Sequence, residues 1–372
     1  MKLLKVTASH FKKCCDDFTI DFVAISKKTA EDKEYELLEI APELYVYNTM
    51  AFVGKNASGK STAVELLDCC YTILGEFRLS DKHYPYDGVR LSIWFFHENY
   101  LYLYETELVS GTTVGNQAVF RNEHIYRKKY FKSNIKQIYD REGYKEMHFA
   151  GDLPEDTSYL FFVLKKKSTA AVFFDSYSGG LDTYRLLFRS IKNYGIDTEE
   201  LGKIIRVFDE SLVELVQLDE HNYRLTTKTG SMIMPDAQLL YYLSSGTTKG
   251  LLLYVMMAAS LKNGFDLLVD EIENHFHKTL VENMLSLYKD KEINKKNASL
   301  VFTTHYSEIL DLMGRQDSIW ICRSDDGVCL SNMYEDYQIR SGLLKSRQFS
   351  NNEFGTAVNY DFLMDLKKVL RQ

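Results

Sequence analysis

The run Gly54-Lys55-Asn56-Ala57-Ser58-Gly59-Lys60-Ser61 places a glycine at each end of a short polar loop and follows the second with a lysine and a hydroxyl. It fits the phosphate-loop pattern G-x-x-x-x-G-K-[ST], which a chain of this length meets by chance on the order of 0.01–0.02 times. Each position has a physical reason. The glycines let backbone N–H groups of Gly54, Asn56, Ala57, Ser58 and Gly59 turn inward around β- and γ-phosphates, and the N-terminus of a following helix adds a favourable dipole. Lys60 brings a point charge to the same phosphates, and the Ser61 hydroxyl suits a Mg²⁺ ion.

Three further groups have the residue types to work with such a loop. Phe265-Asp266-Leu267-Leu268-Val269-Asp270-Glu271 reads as an apolar strand ending in two carboxylates. Buried strands rarely end that way without a cation or a catalytic task nearby. Asp270 would complete a Mg²⁺ shell, and Glu271 would act as general base on the water attacking a γ-phosphate; the bland alternative is a helix cap. Ser299-Leu300-Val301-Phe302-Thr303-Thr304-His305 repeats the theme, with His305 at the carboxyl end of a strand and in reach of a γ-phosphate. Leu243-Ser244-Ser245-Gly246-Thr247-Thr248-Lys249-Gly250 precedes an apolar helix. On its own it is an ordinary capped helix start; beside a phosphate loop it is a second anion-binding N-terminus that a neighbouring subunit could use.

The elements that must hold these residues follow from periodicity. Residues 3–6 and 18–23 read as strands, and 44–53 as one buried strand ending at Gly54. A helix over 60–74 follows, with Val64, Leu67 and Tyr71 on one face. Residues 89–125 are aromatic and β-branched, as in antiparallel hairpins. Residues 157–215 read as helical and 216–234 as a strand pair. Then helix, strand, helix, strand over 246–261, 265–269, 278–289 and 299–303 is the alternation of a parallel sheet flanked by helices.

Composition limits what surrounds this site. The 372 residues carry 45 Lys+Arg against 52 Asp+Glu, a net charge of −7, so nucleic acid cannot coat the whole surface. The basic stretch 121–145, with Arg121, Arg127, Lys128, Lys129, Lys132, Lys136, Arg141 and Lys145, is the one local place for nucleic-acid contact, although such a run is usually a solvated face. The longest apolar run, 251–261, falls short of the ~20 residues of a membrane span, and the N-terminus lacks the pattern of a secretory signal, so a cytoplasmic protein with no membrane contact is expected. The six cysteines include no Cys-x-x-Cys pair and are expected to be reduced.

Taken in order, these motifs resemble the ABC-type ATPase head, in the SMC-like and OLD-like branch of prokaryotic AAA-annotated ATPases of phage-defence and abortive-infection systems. The resemblance implies an α/β P-loop NTPase fold with an antiparallel β subdomain and an inserted helical lobe. Residues 1–150 would be the N-terminal part of the core, 151–235 the inserted lobe and strand pair, and 236–372 the C-terminal part of the core. It makes 54–62, with Thr62, the Walker A loop, 243–249 the signature motif, 267–271 the Walker B strand and His305 the switch histidine. Lys12, after Phe11 in the first turn, matches a basic residue that touches nucleotide. ATP and Mg²⁺ are implied as ligands, and a homodimer in which Ser244 and Gly246 of one subunit close over ATP on the other.

The resemblance has departures. Lys165 stands where a Q-loop glutamine is expected, and Phe276 and Lys278 replace the Leu and Pro of the family's acidic-Asn-x-Leu-His-Pro run at Glu273-Asn274-His275-Phe276-His277. His275 and His277 at a loop start more often pack or cap than bind metal. The signature reads Leu-Ser-Ser-Gly-Thr, unlike the Leu-Ser-Gly-Gly-Gln of transporter subunits. No nuclease motif accompanies the ATPase residues, so an effector is expected to be a separate protein, with a DNA-associated role in repair or recombination as the alternative.

Overall fold

The computed structural model describes residues 1–371 apart from 29–35, 81, 83, 112–117, 176–181, 275–276, 325, 338–342 and 357–359. Strands β1 (Lys2–Ser9) and β2 (Phe18–Asp21) pair antiparallel; β3 (Leu37–Ala41) and β4 (Leu44–Tyr47) form a small sheet; β5 (Thr49–Val53) runs into the phosphate loop and helix α1 (Lys60–Glu76). Next come β6 (Val89–His97), β7 (Tyr100–Ser110), β8 (Ala118–Lys129) and β9 (Lys145–Glu146), which join the first two strands in the antiparallel order β2-β1-β6-β7-β8-β9. The middle of the chain holds α2 (Leu160–Leu164), β10 (Ala171–Phe174), α3 (Thr183–Tyr194), α4 (Thr198–Phe208), β11 (Leu212–Gln217), β12 (Asn222–Thr227), β13 (Gly230–Pro235) and α5 (Asp236–Tyr242). The chain closes with α6 (Ser245–Asn263), β14 (Asp266–Val269), α7 (Lys278–Tyr288), β15 (Leu300–Thr304), β16 (Ile319–Ser324), β17 (Val328–Asn332), α8 (Lys345–Ser350) and α9 (Tyr360–Val369).

The second large sheet has the order β10-β14-β15-β5-β16-β17, parallel through β16. Both of its faces are covered, which is why its strands are apolar without alternation. On β5, Met50 and Phe52 face the core shared with the antiparallel sheet and α1, whereas Ala51 and Val53 face the core built by α6 and α7. Parallel pairing brings the carboxyl ends of β5, β14 and β15 to one edge. Helices α3 and α4 and the meander β11-β12-β13 lie between the adjacent strands β10 and β14 in sequence. The fold is therefore α/β, a P-loop sheet with an antiparallel β subdomain and an inserted helical lobe.

Several local expectations change. Residues 44–53 are two strands, because Asn48 hands the chain from one sheet to the other: its N–H donates to Glu36 O (3.2 Å), and its carbonyl accepts from Leu300 N–H (2.8 Å). The expected strand pair at 216–234 is a three-stranded meander, its first turn held by Asp219, whose Oδ1 accepts from the N–H groups of His221 and Asn222 (both 2.9 Å). The stretch expected to be helical, 157–215, also contains β10, a four-residue edge strand whose short apolar run gives no period to read.

Cys15 and Cys329 are joined as a disulfide, Cα atoms 5.5 Å apart, which corrects the expectation of six reduced thiols. The reason is a contact that spans 314 residues. Cys15 N–H donates to Val328 O (2.9 Å) and Val328 N–H to Lys13 O (2.7 Å), so the turn after β1 lies against the start of β17.

Asp21, at the end of β2, supplies a pH test of the β subdomain. Its Oδ1 accepts from Tyr139 Oη (2.6 Å) and from Val23 N–H (2.9 Å). Burial pushes its carboxyl up from 3.8 to about 6, against the lowering effect of those bonds and of Lys5. The fold thus prefers the protonated acid, so stability falls as pH rises from about 4 to 6 and stays lower above that. Asn retains the accepting oxygen and cannot ionise. Asp21→Asn is expected to stabilise the protein at pH 7.5 by about 1–2 kcal/mol, discounted because the residue is part-exposed, with no gain at pH 4. Thermal melts at the two pH values check this; an equal shift at both would remove Asp21 ionisation as the cause.

Candidate active site

The phosphate loop closes between β5 and α1 through two left-handed residues, Ala57 (φ 61°) and Gly59 (φ 93°). Two glycines are required sterically. A Cβ on Gly54 would lie 2.4 Å from Ser58 Oγ and 2.6 Å from Cys322 O, and one on Gly59 would lie 2.1 Å from Val328 Cγ1. The floor of the loop is thus strand β16 and the hairpin to β17. Lys60 is buried, and its ammonium donates to the carbonyls of Gly54 and Lys55 (both 3.1 Å), folded back into the loop it belongs to. Burial pushes the neighbouring Cys322 thiol up to about 12, partly offset by Lys60, so that thiol is neutral beside the loop.

Asp270, just beyond β14, reaches across to this loop. Ser61 Oγ donates to both of its carboxylate oxygens (3.1 and 2.9 Å), and Thr303 Oγ1 donates to Oδ1 (2.7 Å). Asp270 is buried and Thr303 fully so. Strand order explains the meeting: β15 lies between β5 and β14, and its Thr303 fills the gap between their ends.

Glu271 takes a left-handed backbone (φ 52°), a conformation that costs a non-glycine residue of order 1–3 kcal/mol unless it is held. It is held: its N–H donates to Thr303 Oγ1 (2.7 Å), and its Oε2 accepts from Asn274 Nδ2 (3.2 Å). It caps no helix, since α7 begins at Lys278 with His277 as its cap, accepting from Thr279 N–H (3.3 Å). His275 and Phe276 lie outside the described residues.

His305 follows β15 on the same edge, with its side chain 41% exposed. Both its backbone N–H and its Nδ1 are 2.7 Å from Glu273 Oε1.

The remaining expected residues stand apart from this cluster. Lys12 is ion-paired with Glu65 on α1 and lies over the ring of Tyr84 (5.5 Å). Ser244 caps α6, accepting from Thr247 N–H (3.0 Å), and Gly246 is in the first turn of that helix. Among the described residues no hydrogen bond or ion pair joins Lys12, Ser244 or Gly246 to the phosphate loop. Lys165 is an exposed left-handed C-cap of α2. Its neighbour Ser168 donates to Gly75 O at the far end of α1, so this segment lies opposite the phosphate edge. Thr303 and Glu273 are the site residues that sequence reasoning left without a role. Their only signal was position, a hydroxyl inside a buried strand and an acid two residues beyond Glu271.

The donor set fits Mg²⁺ with a nucleotide. Hard oxygens of Ser61 and Asp270 face each other across a hydrogen bond that a cation could replace, and Ser58 Oγ is buried with no partner among the described residues. Among the described residues no group of three or more His, Cys, Asp or Glu forms a metal cage, which suits an ion that takes one or two protein ligands and completes its shell with phosphates and water.

Residues 50–311 match the family described as "AAA domain, putative AbiEii toxin, Type IV TA system". The chain belongs to this family. The matched AAA domain runs from β5 past His305 and includes Lys60, Ser61, Ser244, Gly246, Asp270, Glu271 and Thr303; Lys12 lies outside it. Among solved structures the chain is similar to the SMC head domain from Thermotoga maritima, at 14% identity over 89% of this chain and 99% of that one, with a TM-score of 0.42. No curated protein matches it. Among the described residues no helix is long and apolar enough to cross a membrane.

Proposed function

We propose that this AAA domain binds ATP with Mg²⁺, hydrolyses it, and works as an ATP-dependent dimeric switch over a separate effector protein in antiphage defence. The observation that carries the reading is the Ser61–Asp270 contact, which joins the phosphate loop to the acidic strand end 209 residues away, with Glu271 next in the chain. When bound there, Mg²⁺ would neutralise charge on the β- and γ-phosphate oxygens. The protein's own groups do the rest. Lys60 exchanges its two loop carbonyls for phosphate oxygens, and backbone N–H groups between Gly54 and Thr62 turn to the β-phosphate, that of Ser58 leaving the Lys55 carbonyl (3.2 Å). Glu271 takes a proton from the attacking water, and Thr303 keeps its backbone and Asp270 in place.

Ser244 and Gly246, at the N-terminus of α6, would close over ATP held by a second copy of the chain. The family description names a putative toxin of a Type IV TA system; the separate effector is this proposal's own element. Lys12 stays a proposed nucleotide contact, reached by releasing Glu65. The nucleic-acid alternative gains little from the 121–145 stretch. Arg121 pairs with Glu155 and Lys132 with Glu43 (both 3.0 Å), Arg141 pairs with Glu105, and Lys128 donates to the carbonyls of Gln137 and Glu142.

Purified protein is expected to release phosphate from ATP in the presence of Mg²⁺ and to stop when the ion is chelated, since an ion held by Ser61 and Asp270 is within a chelator's reach and its charge is needed on the phosphates. Turnover equal with and without the ion would sink the assignment of Asp270 and Ser61. The effector half is tested by capture from the native host. A partner held by the ATP-bound form and released by the ATP-free form is expected; capture indifferent to nucleotide would remove the switch.

A further inference from the structure

Glu273 is among the most enclosed carboxylates of the site, its side chain 2% exposed, and the proposed reaction gives it no task. Its two oxygens are used unequally. Oε1 accepts from the His305 backbone N–H and lies at the same 2.7 Å from His305 Nδ1, whereas Oε2 is buried with no partner among the described residues. A buried carboxylate in this position needs a reason, because each unpaired oxygen costs desolvation energy. Its Oε1 accepts a hydrogen bond from the His305 backbone N–H, which fixes where the residue sits, and the ring Nδ1 stands within ion-pair distance of the same oxygen.

We propose that Glu273 is the positioning residue of His305, holding the ring with its proton on Nδ1 and leaving Nε2 as the nitrogen turned toward the terminal phosphate of a bound nucleotide. An ionised carboxylate can only accept, so a nitrogen set against it carries the hydrogen, and in the neutral ring this selects the tautomer. The ring has a second constraint in Tyr306, packed edge-on at 4.9 Å. Glu273 comes from the turn after β14 and His305 from the end of β15. The bond therefore ties the histidine to the same strand end that carries Asp270 and Glu271, and a shift of one is felt by the other. This inference rests on the ATP-hydrolysing reading of the site for its consequence, but not for the state of the ring.

The test uses the full chain in three forms: wild type, Glu273→Ala and Glu273→Gln. Gln keeps an oxygen at Oε1 that can accept both hydrogens; Ala keeps nothing. In nucleotide-free protein with ¹⁵N-labelled histidine, His305 is expected to show the Nδ1–H tautomer in wild type and Glu273→Gln, and to shift toward Nε2–H in Glu273→Ala. In steady-state assays Glu273→Ala should lose roughly 10–100-fold in kcat, the loss usual for removing the partner that orients a functional histidine, with the KM for ATP within about 2-fold. Glu273→Gln should restore most of that loss. An unchanged tautomer in Glu273→Ala, a loss confined to KM, or a Gln variant as impaired as Ala would overturn the proposal. A wild-type protein that does not turn over ATP would instead refute the function proposed above, and the spectroscopic comparison would still decide the role of Glu273.

Discussion

Replacing Glu271 by Gln is expected to lower ATP turnover by roughly 10²–10⁴-fold, the range that a positioned general base supplies, while ATP still binds. The substitution keeps the size of the side chain and leaves its backbone bond to Thr303 Oγ1 untouched. Only the ability to take a proton from water is removed. With hydrolysis blocked and binding intact, the ATP-bound state accumulates, so the mass in solution should double with ATP and Mg²⁺ and return to that of the single chain without them. Phosphate release, nucleotide binding and light scattering read the three parts separately. Undiminished hydrolysis would remove Glu271 as the base. Blocked hydrolysis with no change in mass would leave the base and remove the dimeric switch.

Lys60→Ala is expected to act one step earlier. The ammonium is buried and donates to the carbonyls of Gly54 and Lys55, bonds that phosphate oxygens would replace. A hydrogen bond to a charged partner is worth about 1.5–3 kcal/mol, so ATP affinity should fall about 10–100-fold, and ATP-dependent association should fall with it. Because the two loop carbonyls lose their donor, a melting curve accompanies the titration to separate lost binding from lost fold. A folded Lys60→Ala protein that binds ATP as tightly as wild type would show that this loop does not hold the phosphates. The two variants also differ in kind: one should trap the nucleotide state and the other should prevent it.

Much of this site could be read locally. The phosphate loop is contiguous, and each of its residues has its own steric or electrostatic reason, so eight residues suffice to name their chemistry. The same holds for the strand ending in Asp270 and Glu271, whose paired acids after an apolar run announce a task. The alternation of apolar strands and helices after residue 245 specified the α/β class, because period and length distinguish the elements without knowledge of their neighbours. Where a segment's role depends on a neighbour, the reading failed. Asn48 breaks a continuous apolar run because two sheets claim its backbone; β10 is too short for periodicity and is a strand only because β14 lies beside it. Cys15 and Cys329 meet through a turn and a hairpin that no spacing rule connects.

The amino-acid sequence by itself supplied the residue types of the proposed chemistry, namely a glycine-bounded loop, a lysine charge, oxygen donors suited to a divalent ion and a carboxylate proposed as the base. Those identities reside in short contiguous segments. Only the tertiary structure decided which of them meet. Ser61 and Asp270 touch because β15 separates β5 from β14, and Thr303 serves both Asp270 and Glu271 because it stands at the end of that intervening strand. The hold of Glu273 on His305 has the same origin. Strand order in a parallel sheet is set by long-range packing of both faces, which no local pattern encodes, and it is strand order that brings three separated motifs, the phosphate loop, the acidic strand end and the strand before His305, to one edge.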